Sequence, residues 1–400
     1  MKSKAATGKA NRGKLTATAA QQLGMGIRRA DGTEGVLVYP STLQSLRGGY
    51  TSYLYQSGDV EIDPPAGAQP THGGYHYSTG SDPEVFALDA NGIVIPAWKY
   101  LKSKKENPSV FYDGFQAELT TLAGSCHDGQ CGAIRAGLLA IRKAARAFDP
   151  KATLSSKCVV EIPRSMMLEA RDEHAMLGCA PSLNIYGDVP ELNIEAPRDL
   201  GIRFAGCHIH QGTKVRYQPA VERVIKMLDN IVGVGLTSLL DGLEDPRRRR
   251  FYGKAGEYRL PAHGFEYRVP SSAVLCSPTI VYLTLDLVRA VAHYGLVGGS
   301  WKATEAETRE AIDQLDVKLA RKLLKRNKDT LTVFLERLYG YYSTEAGAFA
   351  YEAIMGGAKE LIETEMEKTW NFSAAPFSGM RVRDVGPAIM SSRARAAKAA

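Results

Sequence analysis

The sequence has no apolar run near the roughly 20 residues that a membrane-spanning helix needs, so no segment is expected to cross a bilayer. Its first thirty residues are basic but lack an apolar core ahead of a small-residue cleavage site. A secretory leader is therefore not expected, and the expected compartment is the cytoplasm. Cysteine is sparse: Cys126, Cys131, Cys158, Cys179, Cys207 and Cys276 are scattered along 400 residues. That scatter excludes a compact disulfide framework. Cys126 and Cys131, with His127 beside them, make half of a zinc-ligand pattern, and no second cysteine pair completes it. There is no Walker-type glycine loop, no dinucleotide fingerprint after a strand, and no nucleophile elbow. A chain of this kind that uses a nucleotide has to hold its phosphates with arginines and metal ions instead.

The composition that remains is ordinary for a soluble protein, with 44% apolar and 23% charged residues. A chain this long can bury a core without staples and suits one large domain with appendages, or two. The net charge of +7 is concentrated at the ends, in Lys2, Lys4, Lys9, Arg12 and Lys14 and in Arg393, Arg395 and Lys398. Both ends lack aromatics and read as solvated tails, with nucleic acid as an optional partner for their charge.

Residues 1–70 read as irregular, with short strand candidates such as residues 36–40 and a linker at residues 63–67. From about residue 76 the pattern is strand-rich. Asp89-Ala90-Asn91-Gly92 between two apolar runs predicts a hairpin. Residues 111–122, 153–162, 201–212, 257–260 and 265–269 read as strands. The spacing of apolar positions predicts helices over 133–148, from Pro219 to 240, and from Pro278 to about 294. Residues 303–370 are helical in pattern, rich in Ala, Leu, Glu and Lys. Strands with interspersed helices and no regular βαβ alternation argue for an α+β fold with an antiparallel sheet. The expected division is an irregular basic region 1–70, a catalytic domain 71–300, and a helical C-terminal region 301–400 with a basic tail.

Four short stretches carry residues suited to chemistry. In Gly80-Ser81-Asp82-Pro83-Glu84, two carboxylates lie two apart and therefore on one strand face. Hard divalent cations take such oxygen ligands, although an Asp-Pro turn is the plainer reading. Pro83 cannot donate to a ladder, which predicts an edge strand or a strand start. In Asp113-Gly114-Phe115-Gln116-Ala117-Glu118-Leu119, Glu118 supplies a further carboxylate on an otherwise amphipathic strand. In Gly206-Cys207-His208-Ile209-His210-Gln211-Gly212, two imidazoles share a face between flanking glycines. Imidazole suits either a metal or a phosphate, and the pair alone does not fix which. The last stretch runs from Arg247 to Arg259, with Tyr252-Gly253-Lys254 inside it, and on to Gly264-Phe265-Glu266-Tyr267-Arg268. Glu266 and Arg268 project together. A carboxylate for a cation beside a guanidinium for phosphate suits a metal–nucleotide site. The alternative is an intrastrand ion pair on a wet face, worth little.

In order, these motifs are Gly-x-Asp-Pro-Glu, a Glu-bearing strand, Gly-x-His-x-His-x-Gly, Arg…Tyr-Gly-Lys-x-Gly-x-Tyr-Arg and Gly-x-Glu-Tyr-Arg. Together, over about residues 76–300, they resemble the phage COOH–NH2 ligases of type 2, in the glutamine synthetase and glutamate–cysteine ligase superfamily. The resemblance implies a sheet-lined funnel open to nucleotide at one end and to an amino-acid-like substrate at the other. It implies that ATP phosphorylates a carboxylate and that an amine displaces the phosphate. It implies that Asp82, Glu84 and Glu118 hold Mg2+ or Mn2+, and that one of His208 and His210 binds a second ion with Glu266 while the other faces phosphate; which does which stays open, with His208 taken as the ligand. His210 would face phosphate, Arg268 and Arg259 would stabilise the transferring phosphoryl, and Arg250 and Lys254 would help hold the nucleotide. The expected partners are small-molecule or peptide carboxylates and amines, and a phage-encoded chain would act in the host cytoplasm. Three rival readings stay open at this point. They are a guanidino-type phosphotransferase of the same fold, a metal-dependent hydrolase, and a nucleic-acid-associated protein acting through its tails. The general base for the amine and the oligomeric state are not legible.

Overall fold

In the computed structural model, residues 78–121, 127–175, 182–187, 199–212, 218–296 and 301–339 are described, with short pieces outside them. Four of those pieces, β1 (Gly26–Arg28), β2 (Glu34–Gly35), β3 (Glu61–Asp63) and β4 (Tyr75–His76), pair in a small antiparallel sheet. The strand expected at residues 36–40, the tails and Cys126 lie outside the described residues.

The body is built on a nine-stranded antiparallel sheet. Its long axis is β5 (Ser78–Leu88), which links four strands on this side, three by direct pairing and one through a neighbour. These are β6 (Val94–Ile95), β7 (Val110–Asp113) through β8 (Gln116–Leu119), and β9 (Thr153–Ser155). On the other side follow β13 (Cys207–Gly212), β15 (Gly264–Tyr267), β14 (Glu257–Arg259) and β11 (Leu183–Asn184). A separate pair is formed by β10 (Val159–Glu161) and β12 (Ile202–Phe204). Helices cover the apolar face: α1 (His127–Phe148), α4 (Gln218–Leu228), α5 (Val234–Leu239) and α7 (Pro278–Leu296). Short helices α2 (Arg164–Glu169), α3 (Asp172–Ala175) and α6 (Pro246–Phe251) lie in the connections. The helices α8 (Glu305–Asp313), α9 (Val317–Arg326) and α10 (Lys328–Tyr339) follow, and a last turn of helix is α11 (Met366–Thr369).

This is the α+β fold with an antiparallel sheet that the pattern predicts. The Asn91-Gly92 hairpin is present, with Ala87 opposite Ile95 and Gly92 at φ +78°. Three local expectations are corrected. Residues 111–122 are not one strand. Gly114 takes φ +59°, which only glycine adopts cheaply, and the chain folds there into the β7–β8 hairpin. Residues 153–162 and 201–212 each split between two sheets, the second at Ala205-Gly206. And β5 is a central strand despite Pro83. Pro83 stands opposite Cys207, the first residue of β13, so the amide it lacks falls where that ladder ends. The helix that starts near Pro219 runs on as expected, but through a π turn at Asp229–Gly233.

One apolar core joins the sheet to the C-terminal helices. Ile209, Phe265 and Tyr267 share it with Val224, Leu228, Val288, Ile312, Leu323, Leu324 and Trp370. The helical segment 301–339 therefore packs on the same body that carries the sheet.

Candidate active site

Cross-strand partners in an antiparallel ladder point to the same face, so the register assembles the site. Glu84 lies opposite Glu118, Asp82 opposite His208, His210 between Gly80 and Glu266, and Arg259 opposite Glu266. Every one of these polar side chains thus leaves the sheet on one side. Val85, Ala117, Cys207, Ile209, Phe265 and Tyr267 leave it on the other, into the core.

At one end of that face sit Glu84, Asp113 and Glu118. Each offers a carboxylate oxygen within 4.8 Å of the other two. Burial, then the charge of Asp113, pushes Glu84 up to about 7, against a backbone hydrogen bond from Gly206 and the pull of Arg268. Burial and then the charges of Glu84, Asp113 and Asp82 push Glu118 well above the usual carboxylate range. Burial also raises Asp113, with Lys104 and Arg259 pulling back. The ammonium of Lys104 is 3.7 Å from Glu118 and rests over the Phe111 ring at 4.6 Å. The pull of Lys104, Arg259 and Arg268 does not offset burial and mutual repulsion, so the three carboxylates compete for protons. Three oxygen donors converging in this way suit a hard divalent cation such as Mg2+ or Mn2+, which would replace those protons.

In the middle, Glu266 is buried and accepts a hydrogen bond from the Arg268 guanidinium. His208 Nδ1 is 3.4 Å away and Arg259 3.8 Å. This is not the wet-face ion pair of the plainer reading: Arg268 is 1% exposed and Glu266 4%. Burial, then the charges of Arg268 and Arg248, hold the His208 pKa well below its ordinary value, so the ring is neutral at physiological pH. Its Nε2 is buried without a hydrogen-bond partner, while Nδ1 is the nitrogen that faces Glu266. Asp82 does not join the three carboxylates but bonds His210 Nε2 at 2.8 Å. Burial works to raise Asp82, yet the bond and charge of His210, with Lys104, bring it below its ordinary value. The other nitrogen of His210 meets His263 Nε2 at 3.0 Å.

The cationic end is built by α6 and the turn after it. Asp245 caps α6 by accepting from the Arg247 amide, and Pro246 follows at the first helical position. The helix buries Arg248 and Arg249 and leaves Arg250 exposed. Arg248 donates to the carbonyls of Val269 and Pro270, each at 3.1 Å. Arg249 pairs with buried Glu244, which also accepts from Ser271. The Tyr252 ring lies 4.5 Å from the Arg248 guanidinium and 5.0 Å from that of Arg268, with the His208 ring edge-on at 5.3 Å. Gly253, at φ +73°, has no room for a Cβ because the Arg248 guanidinium lies against it. Glu257 accepts from the amides of Gly253 and Lys254 at 3.0 and 3.1 Å, and so fixes the turn on which Lys254 stands half-buried.

The structure thus brings Glu84 and Glu118 together, and His208, Glu266, Arg268 and Arg259 together. Asp82 and His210 form a separate pair beside them. Asp113, Arg248, Arg249, Tyr252 and His263 were not singled out from the sequence. The Asp-Gly turn signal at residues 113–114 and the Asp-Pro cap at residues 245–246 were the cues for the first three. Of the cysteine pair, Cys131 is buried with its thiol toward the Pro278 carbonyl, and the described residues of that stretch gather no metal-ligand cluster.

Residues 202–371 match the family described as phage phiEco32-like COOH.NH2 ligase-type 2. The resemblance carried by the His-x-His and Glu-Tyr-Arg motifs is therefore shown over that stretch, which also takes in helices α8–α10. The Asp82, Glu84 and Glu118 motifs lie outside it. No curated protein matches the chain. Among solved structures, a bifunctional glutathione synthetase from Pasteurella multocida is similar over 74% of this chain at 11% identity, TM-score 0.43. This chain covers 48% of that protein, about half its length. GmaS in complex with ADP is similar over 75% of this chain and 74% of its own, at 11% identity and TM-score 0.37.

Proposed function

We propose that this protein is a metal- and ATP-dependent carboxylate–amine ligase that works through an acyl phosphate. The observation that carries the reading is the sheet's polar face. Buried carboxylates gather at one end, a buried Glu266–Arg268–His208 group lies in the middle, and guanidiniums stacked on Tyr252 stand beyond it. Phosphoryl transfer asks a protein for positioning and for neutralisation of spreading negative charge, and little else.

The assignments follow from position. Glu84, Asp113 and Glu118 would hold one Mg2+ or Mn2+, and His208 with Glu266 a second, with Asp82 and His210 alongside. Such ions, when bound, screen the triphosphate and make its terminal phosphorus open to attack by a carboxylate. Arg268 and Arg259 bind the oxygens of the transferring group. Glu266 and Tyr252 keep the Arg268 guanidinium in place before substrate arrives. Arg248 is held by backbone carbonyls, Lys254 faces the nucleotide from its turn, and Arg250 makes an outer contact. The acid's carboxylate oxygen takes the phosphoryl group, ADP leaves, and the amine then displaces phosphate to form the amide. Residues 71–300 carry this chemistry and residues 301–400 support it. No helix among the described residues is long and apolar enough to cross a membrane, and we place the reaction in the cytoplasm, that of the host if the gene is a phage's.

The test is a hydroxamate screen. The purified chain is given ATP, Mg2+ or Mn2+, hydroxylamine as a general amine acceptor, and a panel of amino acids, dicarboxylates and peptides. Acid-dependent hydroxamate with matching ADP is the expected result. A stable phosphorylated product formed without any amine points to the phosphotransferase, turnover without ATP points to the hydrolase, and no acid-dependent ADP across the panel refutes the ligase.

A further inference from the structure

The turn after α6 reads Tyr252-Gly253-Lys254-Ala255-Gly256. A lysine between glycines in this way suggests a nest of backbone amides for phosphate. The structure closes that option. The amides of Gly253 and Lys254 both donate to Glu257, at 3.0 and 3.1 Å. The Ala255 amide donates to Asp313 at 2.7 Å. Three successive donors that could have met an anion from outside are spent on carboxylates of the chain itself.

The carbonyls of the turn are spent as well. That of Gly253 accepts from the Arg249 guanidinium. That of Lys254 accepts from the Glu257 amide at 3.2 Å, and that of Gly256 from the Ile185 amide at 3.1 Å. The Ala255 carbonyl accepts from the Asn184 side chain at 2.8 Å. Gly256 sits at φ +80°, and a Cβ there would meet the Tyr186 ring at 2.6 Å. Residues of α6, β11, β14 and α8 therefore grip one short turn between them, and its backbone has no polar group left to offer. What it still presents is the half-buried Lys254 side chain, whose ammonium forms no ion pair among the described residues.

Asp313 stands apart among these contacts. It is the last residue of α8, in the helical segment that follows the sheet, 58 positions beyond Ala255. Burial raises its carboxyl, and the Ala255 amide, Arg249, Arg309 and Lys254 pull it back. The carboxylate that holds the Ala255 amide thus also bears on the charge of Lys254.

We propose that Asp313 is a positioning residue for the nucleotide: it fixes the turn from the helical segment, so that the Lys254 ammonium, and not the backbone amides beside it, meets a phosphate oxygen. A lysine on a turn that is already fixed loses less freedom on binding than one on a loose loop. The helical segment is then part of the nucleotide site and not only a support for it.

This rests on the ligase reading, and the two fail differently. Calorimetry on the full chain uses MgATP, magnesium with inorganic triphosphate, and Mn2+ alone. Lys254→Ala is expected to weaken both polyphosphates by the same factor, about 10-fold, the size of one charge-assisted hydrogen bond. Asp313→Ala loses nearly as much and leaves Mn2+ alone as in the wild type. Added to Lys254→Ala, it costs no further affinity, although it still lowers the melting point. A residue that only supports the fold would weaken binding alike in both backgrounds. Asp313→Asn keeps an oxygen for the Ala255 amide and keeps most of the affinity. Hydrogen exchange on the wild-type chain needs no variant: the Gly253, Lys254 and Ala255 amides are protected before nucleotide is added. Full affinity in Asp313→Ala, losses that multiply in the double variant, or amides that gain protection only with MgATP each overturn the proposal. A wild-type chain that binds neither MgATP nor triphosphate overturns the ligase reading itself.

Discussion

The two ends of the polar face are assembled on opposite principles. At the β5–β8 end, Glu84, Asp113 and Glu118 crowd together, and each is raised above its ordinary pKa by burial despite the pull of Lys104, Arg259 and Arg268. At the α6–β15 end, each buried guanidinium already has a partner: Arg268 has Glu266, Arg249 has Glu244, and Arg248 has two carbonyls and the Tyr252 ring. One end therefore gathers negative charge that a cation would neutralise. The other holds its guanidiniums in place through carboxylates, carbonyls and the Tyr252 ring. A site that receives a metal and a polyphosphate needs both, an unsatisfied half that draws the metal and a satisfied half that does not move.

The largest effect should come from breaking the satisfied half. Arg268→Ala leaves Glu266 buried without its main partner, which costs about 3–5 kcal/mol of stability. In protein that remains folded, acid-dependent ADP release should fall by about 10³-fold. Thermal melts and the hydroxamate assay read the two losses, and wild-type turnover in a folded Arg268→Ala or Glu266→Ala variant would sink the assignment. Next comes the unsatisfied half. Glu118→Gln removes a ligand and one repelling charge together. Mn2+ binding should weaken by at least about 10–100-fold while the metal-free chain melts higher, and a lower melting point would contradict the charge argument.

The pH dependence follows with the same sign. Glu84 titrates at about 7 in the fold, above its ordinary 4.5, so folding takes up a proton between those values. Its contribution to the metal-free protein is therefore greatest below that window and is lost as pH rises through it, by about 1.4 kcal/mol per unit. Saturating Mn2+ should flatten the curve, because the ion takes the proton's place. A smaller effect separates the two histidines: His208→Ala should weaken metal about 10-fold more than His210→Ala. Equal or silent losses would contradict that division. The smallest is Lys104→Gln. An exposed contact of this kind is worth less than about 1 kcal/mol, so Mn2+ should bind tighter by no more than about 5-fold.

How much of this was legible depended on whether a signal was local. The His208–His210 strand and the Glu266/Arg268 pair were readable because period-two alternation states which side chains share a face. The Asn91-Gly92 hairpin was readable from its turn. Asp113 was missed because Asp113-Gly114 was read as the middle of a strand when it is a turn, and the turn is what swings Asp113 beside Glu118. Arg248 and Arg249 were missed because four arginines in a row look like a solvated run. Only a short capped helix over them decides which two turn inward. The Pro83 rule failed because β5 changes partner partway along, which no local pattern reports. His263 carried no motif at all, and its hydrogen bond to His210 is visible only across the strands.

β5 gives the site a property in time as well as in space. Its partners are residues 94–95, 116–119, 153–155 and 207–212, and the Glu266–Arg268 segment joins only through β13. Loop closures over such separations come late in folding. During synthesis the acidic end can form from an early stretch of chain, but the guanidinium end waits until residue 268 has emerged. A chain that is partly made or partly folded thus has the carboxylates without the guanidiniums. On the proposed ligase reading, tight binding of MgATP would then appear as a last, cooperative event in refolding, and the nucleotide would report completed assembly rather than help it.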